Sequence, residues 1–244
     1  MKILLAPSET KRNGGNRAFD IKQLSFEQLT PTREKLISIY TKIVTSKDIP
    51  TIKKLFGLKK DKDIEPFLVD INKEPTLKAI QRYTGVAFDY LDYSSLNDNA
   101  QKYIDNNVIL FSNLFGIIKA NDYIPNYRVK QAETLDGIKV DLLYQKELSH
   151  ILDKYLDEDI IDIRATYYNK FYKPSKKYTT LKFLKNDKVV SHWAKAYRGK
   201  VLRALAINNI KTIDEFLKLP IEGLSIKEVQ ESKNKTEIIY TIEG

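Results

Sequence analysis

Apolar positions along the chain alternate between helical and extended rhythms. After Thr30-Pro31, the residues Leu36, Tyr40, Ile43 and Val44 step by four, three and one, which puts one apolar face on a helix with proline at its first position. Residues 97–107 read as a second helix, and Leu148, Ile151, Leu152, Tyr155 and Leu156 trace a third. Between these lies "VILFSNLFGII" from Val108, an apolar run that predicts one strand buried on both faces. Ile3, Leu4 and Leu5 predict a short core strand at the start, and "DIIDIRA" predicts another, ending at Arg164.

Downstream of Arg164, "TYYNKFYKPSKKY" reads as a loop or short helix. "TTLKFL" and "KVVSHW" flank Lys185 to Asp187 as an antiparallel hairpin, and "LSIKEVQ" with "TEIIYTI" makes another around Lys233 to Lys235. Between the hairpins, Trp193, Tyr197, Val201 and Leu205 recur every four residues, as on a helix covering 193–207. No Gly/Ser linker, low-complexity tract or internal repeat interrupts the order. The expectation is a mixed α/β (α+β) fold in one compact unit over residues 1–244, with a helical element at about 193–220.

Composition narrows the chemistry. There is no cysteine, so disulfides, thiolate nucleophiles and cysteine-held zinc are excluded, and His150 and His192 are too few for a multi-histidine metal site. No metal site and no cofactor are expected, a carboxylate-held magnesium being the one alternative left open, with no spacing that announces it. The start has one lysine and four apolar residues before Pro7, too short for a signal peptide, and no run approaches the roughly 18 apolar residues of a membrane span. A cytoplasmic protein is expected, with no membrane partner and a monomer favoured.

Charge changes the picture more. Between Arg164 and Arg203 stand 12 Lys or Arg residues against one acid, Asp187, whereas the rest of the chain holds 29 basic and 31 acidic residues. All the excess positive charge of this +9 chain thus lies in one forty-residue stretch. Tyr167, Tyr168, Phe171, Tyr172, Tyr178, Phe183, Trp193 and Tyr197 are interleaved with it. That mixture follows a phosphate backbone while offering faces for stacking, or simply wraps an aromatic core in solvated lysines.

Four further stretches carry candidate chemistry. In "LLAPSETKRNGG", a core strand runs into Ser8, Glu9, Thr10, Lys11 and a glycine pair, which suits either an anion-holding loop or a polar turn. "PNYRVK" puts Arg128 and Lys130 on one side of an extended segment, placed for a phosphate or for surface ion pairs. "SHWAKAYRG" sets His192 at a strand-to-helix junction, as an acid or base or as a cap. In "ALAINNIKTIDEFLKL", Asn208-Asn209 stops one helix and Thr212 with Glu215 caps the next, an order resembling a helix-hairpin-helix without its usual glycines.

Several of these segments together resemble the YaaA family of bacterial peroxide-stress proteins. "LLAPSETKRNGG" is similar to its opening strand and P-S-E-G-K loop, with Thr10 where many members have glycine. "RYTGVAFDYLD" resembles its Y-T-G-x-x-Y-x-x-L segment, with Phe88 for the second tyrosine. "LFSNLFGIIKANDYIPNYRVK" resembles its long S-x-L-Y-G block, with Phe115 for tyrosine and Ala120 for proline. "DIRATYYNKFY" and "SHWAKAYRGKVLRAL" follow in the family's order, with Ala165 and Tyr167 in place of the serine and glutamate of one branch.

The resemblance implies a single YaaA-type fold with a positively charged cleft and a helix-hairpin-helix-like element. It also implies protection against hydrogen peroxide and iron-dependent damage, and binding to duplex or distorted DNA. The shared polar residues are Ser8, Glu9, Lys11, Arg128, Lys130, Arg164, Tyr168, Lys195 and Arg198. Arg164, at the exit of a core strand, is expected beside the Ser8–Lys11 cluster as part of one cleft.

Two expectations follow. In the first, DNA is gripped through Lys170, Lys173, Lys176, Lys177, Lys195, Arg198, Lys200 and Arg203, with backbone amides of the Asn208–Thr212 turn assisting. In the second, the cleft belongs to an enzyme for a small phosphorylated or nucleotide-like substrate. Glu9 is then the general base, with Lys11 and Tyr168 as the other catalytic candidates and Lys11, Arg128 and Arg198 as clamps for the small anionic ligand.

Overall fold

A computed structural model describes residues 1–243, apart from the side chains of Ser191 and His192, so a role for the His192 imidazole lies outside the described residues. The chain is built on an eight-stranded mixed sheet. Its strands are β1 (Lys2–Leu5), β2 (Val108–Ser112), β3 (Gly116–Lys119), β4 (Ile160–Asp162), β5 (Tyr178–Lys185), β6 (Lys188–Val189), β7 (Leu224–Glu231) and β8 (Lys235–Ile242). They lie in the order β7-β8-β5-β4-β1-β2-β3, with β6 pairing to β5. The pairs joining β2, β1, β4, β5 and β8 are all parallel, and antiparallel β3 and β7 close the two sides.

The α-helices of five residues or more are α1 (Thr30–Thr45), α2 (Ile49–Phe56), α3 (Val86–Leu91), α4 (Asp98–Asn107), α5 (Val140–Tyr155), α6 (Ser191–Ile207) and α7 (Ile213–Leu217). α1 begins with proline in its first turn and buries Leu36, Tyr40 and Val44, as the spacing predicts. Both hairpins form, although the strand expected to include "SHW" stops at Val189 and Ser191 already opens α6. No helix is long and apolar enough to cross a membrane among the described residues.

The run from Val108 departs from expectation. It is not one strand but the tight hairpin β2–β3, with both strands buried. The turn works because the Ser112 hydroxyl accepts the amides of Leu114 and Phe115 and because Gly116 adopts φ of 74°. A Cβ at Gly116 would press into the Tyr144 ring, so glycine is required on two counts.

Two arginines with no measurable exposure tie loops to this frame. Arg33 donates to the carbonyls of Phe115, Ile117 and Phe26. Arg82 donates to those of Arg12, Gly14, Pro75 and Ile124. A buried guanidinium is tolerated when its donors are all spent on otherwise unpaired carbonyls. Arg82 thereby fixes the segment that follows the Ser8–Lys11 loop. Gly15, at φ of 127°, lies against the Thr76 backbone, so the glycine pair serves this close packing.

The strand order also creates a crevice. β1 leads to β2 on one side, while its other neighbour β4 leads to β5 on the opposite side. Crossovers that diverge from adjacent parallel strands leave a gap outside their carboxyl ends, where α/β folds place ligands. The exits of β1 and β4 are Ala6–Thr10 and Ile163–Ala165.

Candidate functional site: a cationic cavity at the strand ends

A cavity of about 430 Å³ occupies that crevice. Leu5 to Thr10 form one wall, Thr84 to Phe88 a second, Ile163, Ala165 and Tyr168 a third, with Arg128, Gln131, Lys195 and Arg198 around them. Leu5, Phe88 and Ile163 are buried and line its depth, whereas Lys195 is exposed and Arg198 half-buried. The cavity therefore has an apolar interior and a cationic rim.

The hydroxyl wall is locally organised. Ser8 Oγ lies 3.0 Å from Thr10 Oγ1 and accepts the Thr10 amide at 3.2 Å, while Thr10 Oγ1 donates to the Thr84 carbonyl at 3.2 Å. Gly85, at φ of 99°, starts α3 against this wall. A Cβ there would stand 3.3 Å from both the Ser8 and Thr10 hydroxyl oxygens.

Glu9 and Arg128 form a fixed pair rather than a base and a clamp. Arg128 Nη2 is 3.2 Å from Glu9 Oε2, its Nη1 donates to the Glu9 carbonyl and its Nε donates to the Phe56 carbonyl at the end of α2. Glu9 Oε1 accepts the Gln131 amide. Both side chains are spent on holding the β1 exit to residues 128–131. The expected base and clamp are thus paired with each other, although both line the cavity and two of the five Arg128 N–H groups have no protein partner among the described residues.

Lys11 does not line the cavity. It turns back behind the loop, where Nζ donates to the Ser8 carbonyl at 3.2 Å and the Glu9 carbonyl at 3.4 Å, and lies 4.0 Å from the Tyr127 ring centroid. Burial and the neighbouring Arg128 charge pull its ammonium down to about 7, against a smaller opposing pull from Glu9. Contacts with the tyrosine faces and the carbonyls favour the charged form. Behind it, the hydroxyls of Tyr83, Tyr127 and Ser112 form a chain with 2.7 Å steps.

Arg164 is a second correction. Its side chain is 1% exposed and makes a bidentate pair with Asp162, at 2.8 Å through Nε and 2.6 Å through Nη2. The remaining donors go to the carbonyls of Tyr168 and Tyr172. With every nitrogen satisfied internally, it braces the β4 exit and has no capacity for an anion. Tyr168 does line the cavity. Its hydroxyl lies 3.4 Å from Asn113 Oδ1, and burial pushes its ionisation upward, so it is a neutral phenol at physiological pH.

Lys195 and Arg198 differ from these braced residues. They sit three apart on α6, on one face, and both reach the cavity. Neither has a hydrogen bond or ion pair to the protein among the described residues. Burial lowers the Arg198 pKa, with only the Asp162 charge opposing. A half-buried guanidinium without a partner is a costly arrangement that an anionic ligand would relieve.

The rest of the basic stretch scatters. Lys176 and Lys177 precede β5, whose register with β4 pairs Thr179 with Ile161, so they lie at the amino end of the parallel strands, away from the cavity. Lys176 donates to the Leu156 carbonyl and Lys177 pairs with Glu231. Lys170 and Lys173 are exposed on the segment between β4 and β5, Lys170 with its ammonium 5.4 Å from the Tyr167 ring. Lys200 rests beside the rings of Tyr90 and Tyr197, and Arg203 donates to the carbonyls of Leu91 and Asp92 at the end of α3. Lys130 is exposed, packs its stem against Gly57, and is not among the cavity's lining residues.

The turn between α6 and α7 also departs from expectation. The amides of Asn208, Asn209 and Ile210 donate to the carbonyls of Ala204, Ala206 and Leu205, and that of Lys211 to the Glu215 carboxylate. The Ile213 amide is taken by Asp159. Of the amides expected to meet a phosphate, those of Asn208 to Lys211 are thus already bonded within the protein, the last to a carboxylate.

Sequence reasoning missed the second wall and the inner lining: Thr84, Gly85, Val86, Phe88, Ile163 and Gln131. Thr84-Gly85 stood out only within "RYTGVAFDYLD", through its resemblance to a family segment, and nothing in one sequence says that this stretch lies over the end of β1.

The protein-family model described as peroxide stress protein YaaA matches residues 1–230. Among curated proteins, an uncharacterized protein of Campylobacter jejuni is 40% identical over 244 residues, 99% of both chains. A UPF0246 protein of Corynebacterium efficiens is 34% identical over 218 residues, 84% of this chain and 85% of its own. One from Fusobacterium nucleatum is 26% identical over 250 residues, 96% and 97% of the two chains.

Proposed function

The chain belongs to the family of the peroxide stress protein YaaA, and from that premise we propose that it serves the peroxide response by holding DNA through phosphates at the rim of the cationic cavity. The observation that carries this reading is Arg198, a half-buried guanidinium with no protein partner among the described residues, one turn from the equally unpartnered Lys195. Two adjacent cations of this kind supply a charge-assisted grip on a phosphodiester. The basic chain adds a weaker, long-range attraction for any polyanion.

Binding is favoured over catalysis because no free general base lines the cavity among the described residues. Glu9 is held by Arg128 and the Gln131 amide, and Tyr168 stays protonated. Holding DNA is an activity that needs none.

The test is fluorescence anisotropy with a labelled duplex over a salt series. Lys195→Glu/Arg198→Glu is expected to weaken binding at least tenfold at low salt, while Lys176→Glu/Lys177→Glu, at the other end of the strands, changes it less than threefold. Equal losses in the two variants would mean that the protein attracts DNA by overall charge alone, and no loss in the first would remove the cavity from the account.

A further inference from the structure

The wall made by Ser8, Glu9 and Thr10 has a back as well as a face. Its face lines the cavity, whereas Lys11 stands behind it and is absent from the lining. From there Nζ donates to the Ser8 carbonyl at 3.2 Å and to the Glu9 carbonyl at 3.4 Å. Both peptides are trans, and in a trans peptide the C=O and N–H point in opposite directions. Carbonyls drawn back to Lys11 therefore turn the amides of Glu9 and Thr10 toward the cavity. The Thr10 amide shows that direction, because its acceptor is the cavity-lining Ser8 Oγ. The Glu9 amide shares it and has no protein acceptor among the described residues. A backbone donor left open on a cavity that also carries two unpartnered cations is suited to an anionic oxygen.

We propose that Lys11 is a positioning residue for anion binding: its protonated amine aims the Glu9 amide at a phosphate oxygen held by Lys195 and Arg198, and binding takes up a proton at that amine. This rests on the reading that the rim holds phosphates, and it adds a proton-linked backbone donor. The groups facing Lys11 leave it poised between its two forms. Burial and the Arg128 and Arg82 guanidinium groups disfavour its charge, the Glu9 carboxylate favours it, and the balance holds the ammonium at about 7. The phenols of Tyr83 and Tyr127 present their ring faces and stay neutral, since burial pushes their ionisation upward. An anion across the loop adds a negative charge and gives the aimed amide its acceptor, and both favour the protonated amine. The pKa of Lys11 is therefore higher in the complex than in the free protein. Affinity is highest below about 7 and falls as pH rises, until Lys11 loses its proton in the complex as well.

A labelled duplex is a suitable probe, because its phosphodiesters keep their charge throughout. Anisotropy from about pH 6 to about pH 9 measures affinity, and calorimetry in buffers of different ionisation enthalpy counts protons taken up. A rise of about one unit in the Lys11 pKa makes wild-type binding about tenfold tighter at the acid end, with net proton uptake at about pH 8. In the wild type, the NMR signal of the Glu9 amide proton should also move downfield when duplex or sulfate is added. Lys11→Met should bind at every pH as the wild type does at the alkaline end. Lys11→Arg, charged throughout, should bind at every pH as the wild type does at the acid end.

No proton uptake by the wild type, or equal uptake by wild type and both variants, would overturn the proposal. So would DNA binding that leaves the Glu9 amide signal in place, and all three results leave the rim's hold on DNA standing. Sulfate bound with Lys11-dependent proton uptake, but no binding of DNA, would overturn the proposed function and leave the role of Lys11 standing. Binding of neither anion would overturn both.

Discussion

Replacing Arg164 with methionine separates a brace from a ligand. In the wild type its guanidinium and the Asp162 carboxylate are 1% and 7% exposed and paired at 2.6 and 2.8 Å. Methionine keeps most of the volume but leaves Asp162 as a buried charge without its partner, and leaves the carbonyls of Tyr168 and Tyr172 without donors. Breaking a buried pair from one side costs about 3–5 kcal/mol. For a chain of this size that is a fall in melting temperature of roughly 6–20 °C. The assay is urea unfolding followed by the fluorescence of the single tryptophan, Trp193, with DNA binding measured well below the transition. The double variant Asp162→Asn/Arg164→Met carries no orphaned charge and should recover much of the loss, a coupling that a double-mutant cycle reads directly. A single variant that unfolds at the wild-type midpoint yet no longer binds DNA would refute the reasoning and return Arg164 to the ligand site.

Lys11 gives a pH signature. Its folded pKa is about 7, below the ordinary 10.5, so the unfolded chain holds this proton more tightly. Its contribution to stability is complete above 10.5, is lost as pH falls toward 7, and is constant below. The stability difference between wild type and Lys11→Met should therefore rise from pH 7 to pH 9, by at most about 1.4 kcal/mol per unit, and a flat difference in urea unfolding would exclude the shift. Gly199→Ala would push a methyl group into the Ala87 carbonyl where α6 crosses α3. It should cost about 1–3 kcal/mol in thermal unfolding and weaken DNA binding, because both cavity-lining helices move. Tyr127→Phe breaks the hydroxyl chain at its centre, leaving Tyr83 and Ser112 without their shared partner, and should cost about 1–3 kcal/mol in the same assay.

How much of this was legible in the sequence depended on whether the signal was local. α1 could be read from its spacing and its proline, and the β7–β8 hairpin from two extended runs around a polar turn. The β2–β3 turn was hidden because its residues are as apolar as the strands, so periodicity ran through it. Lys195 and Arg198 were recognisable as cations on a helix. That they stand alone while Arg164, Arg128 and Lys11 are occupied was not, because a sequence shows a charge and not its partner. The basic stretch misled for the same reason: forty residues that share a sign run from one end of the sheet to the other and back. α6 alone, at 17 residues, spans roughly 25 Å.

The salt dependence of duplex binding by wild type and by Lys195→Ala/Arg198→Ala tests the central claim most directly. Each lost phosphate contact lowers the slope of log affinity against log salt by about 0.9. The account predicts weaker binding and a slope smaller by close to two contacts. An unchanged slope, with affinity intact, would contradict it and place the DNA elsewhere on the protein.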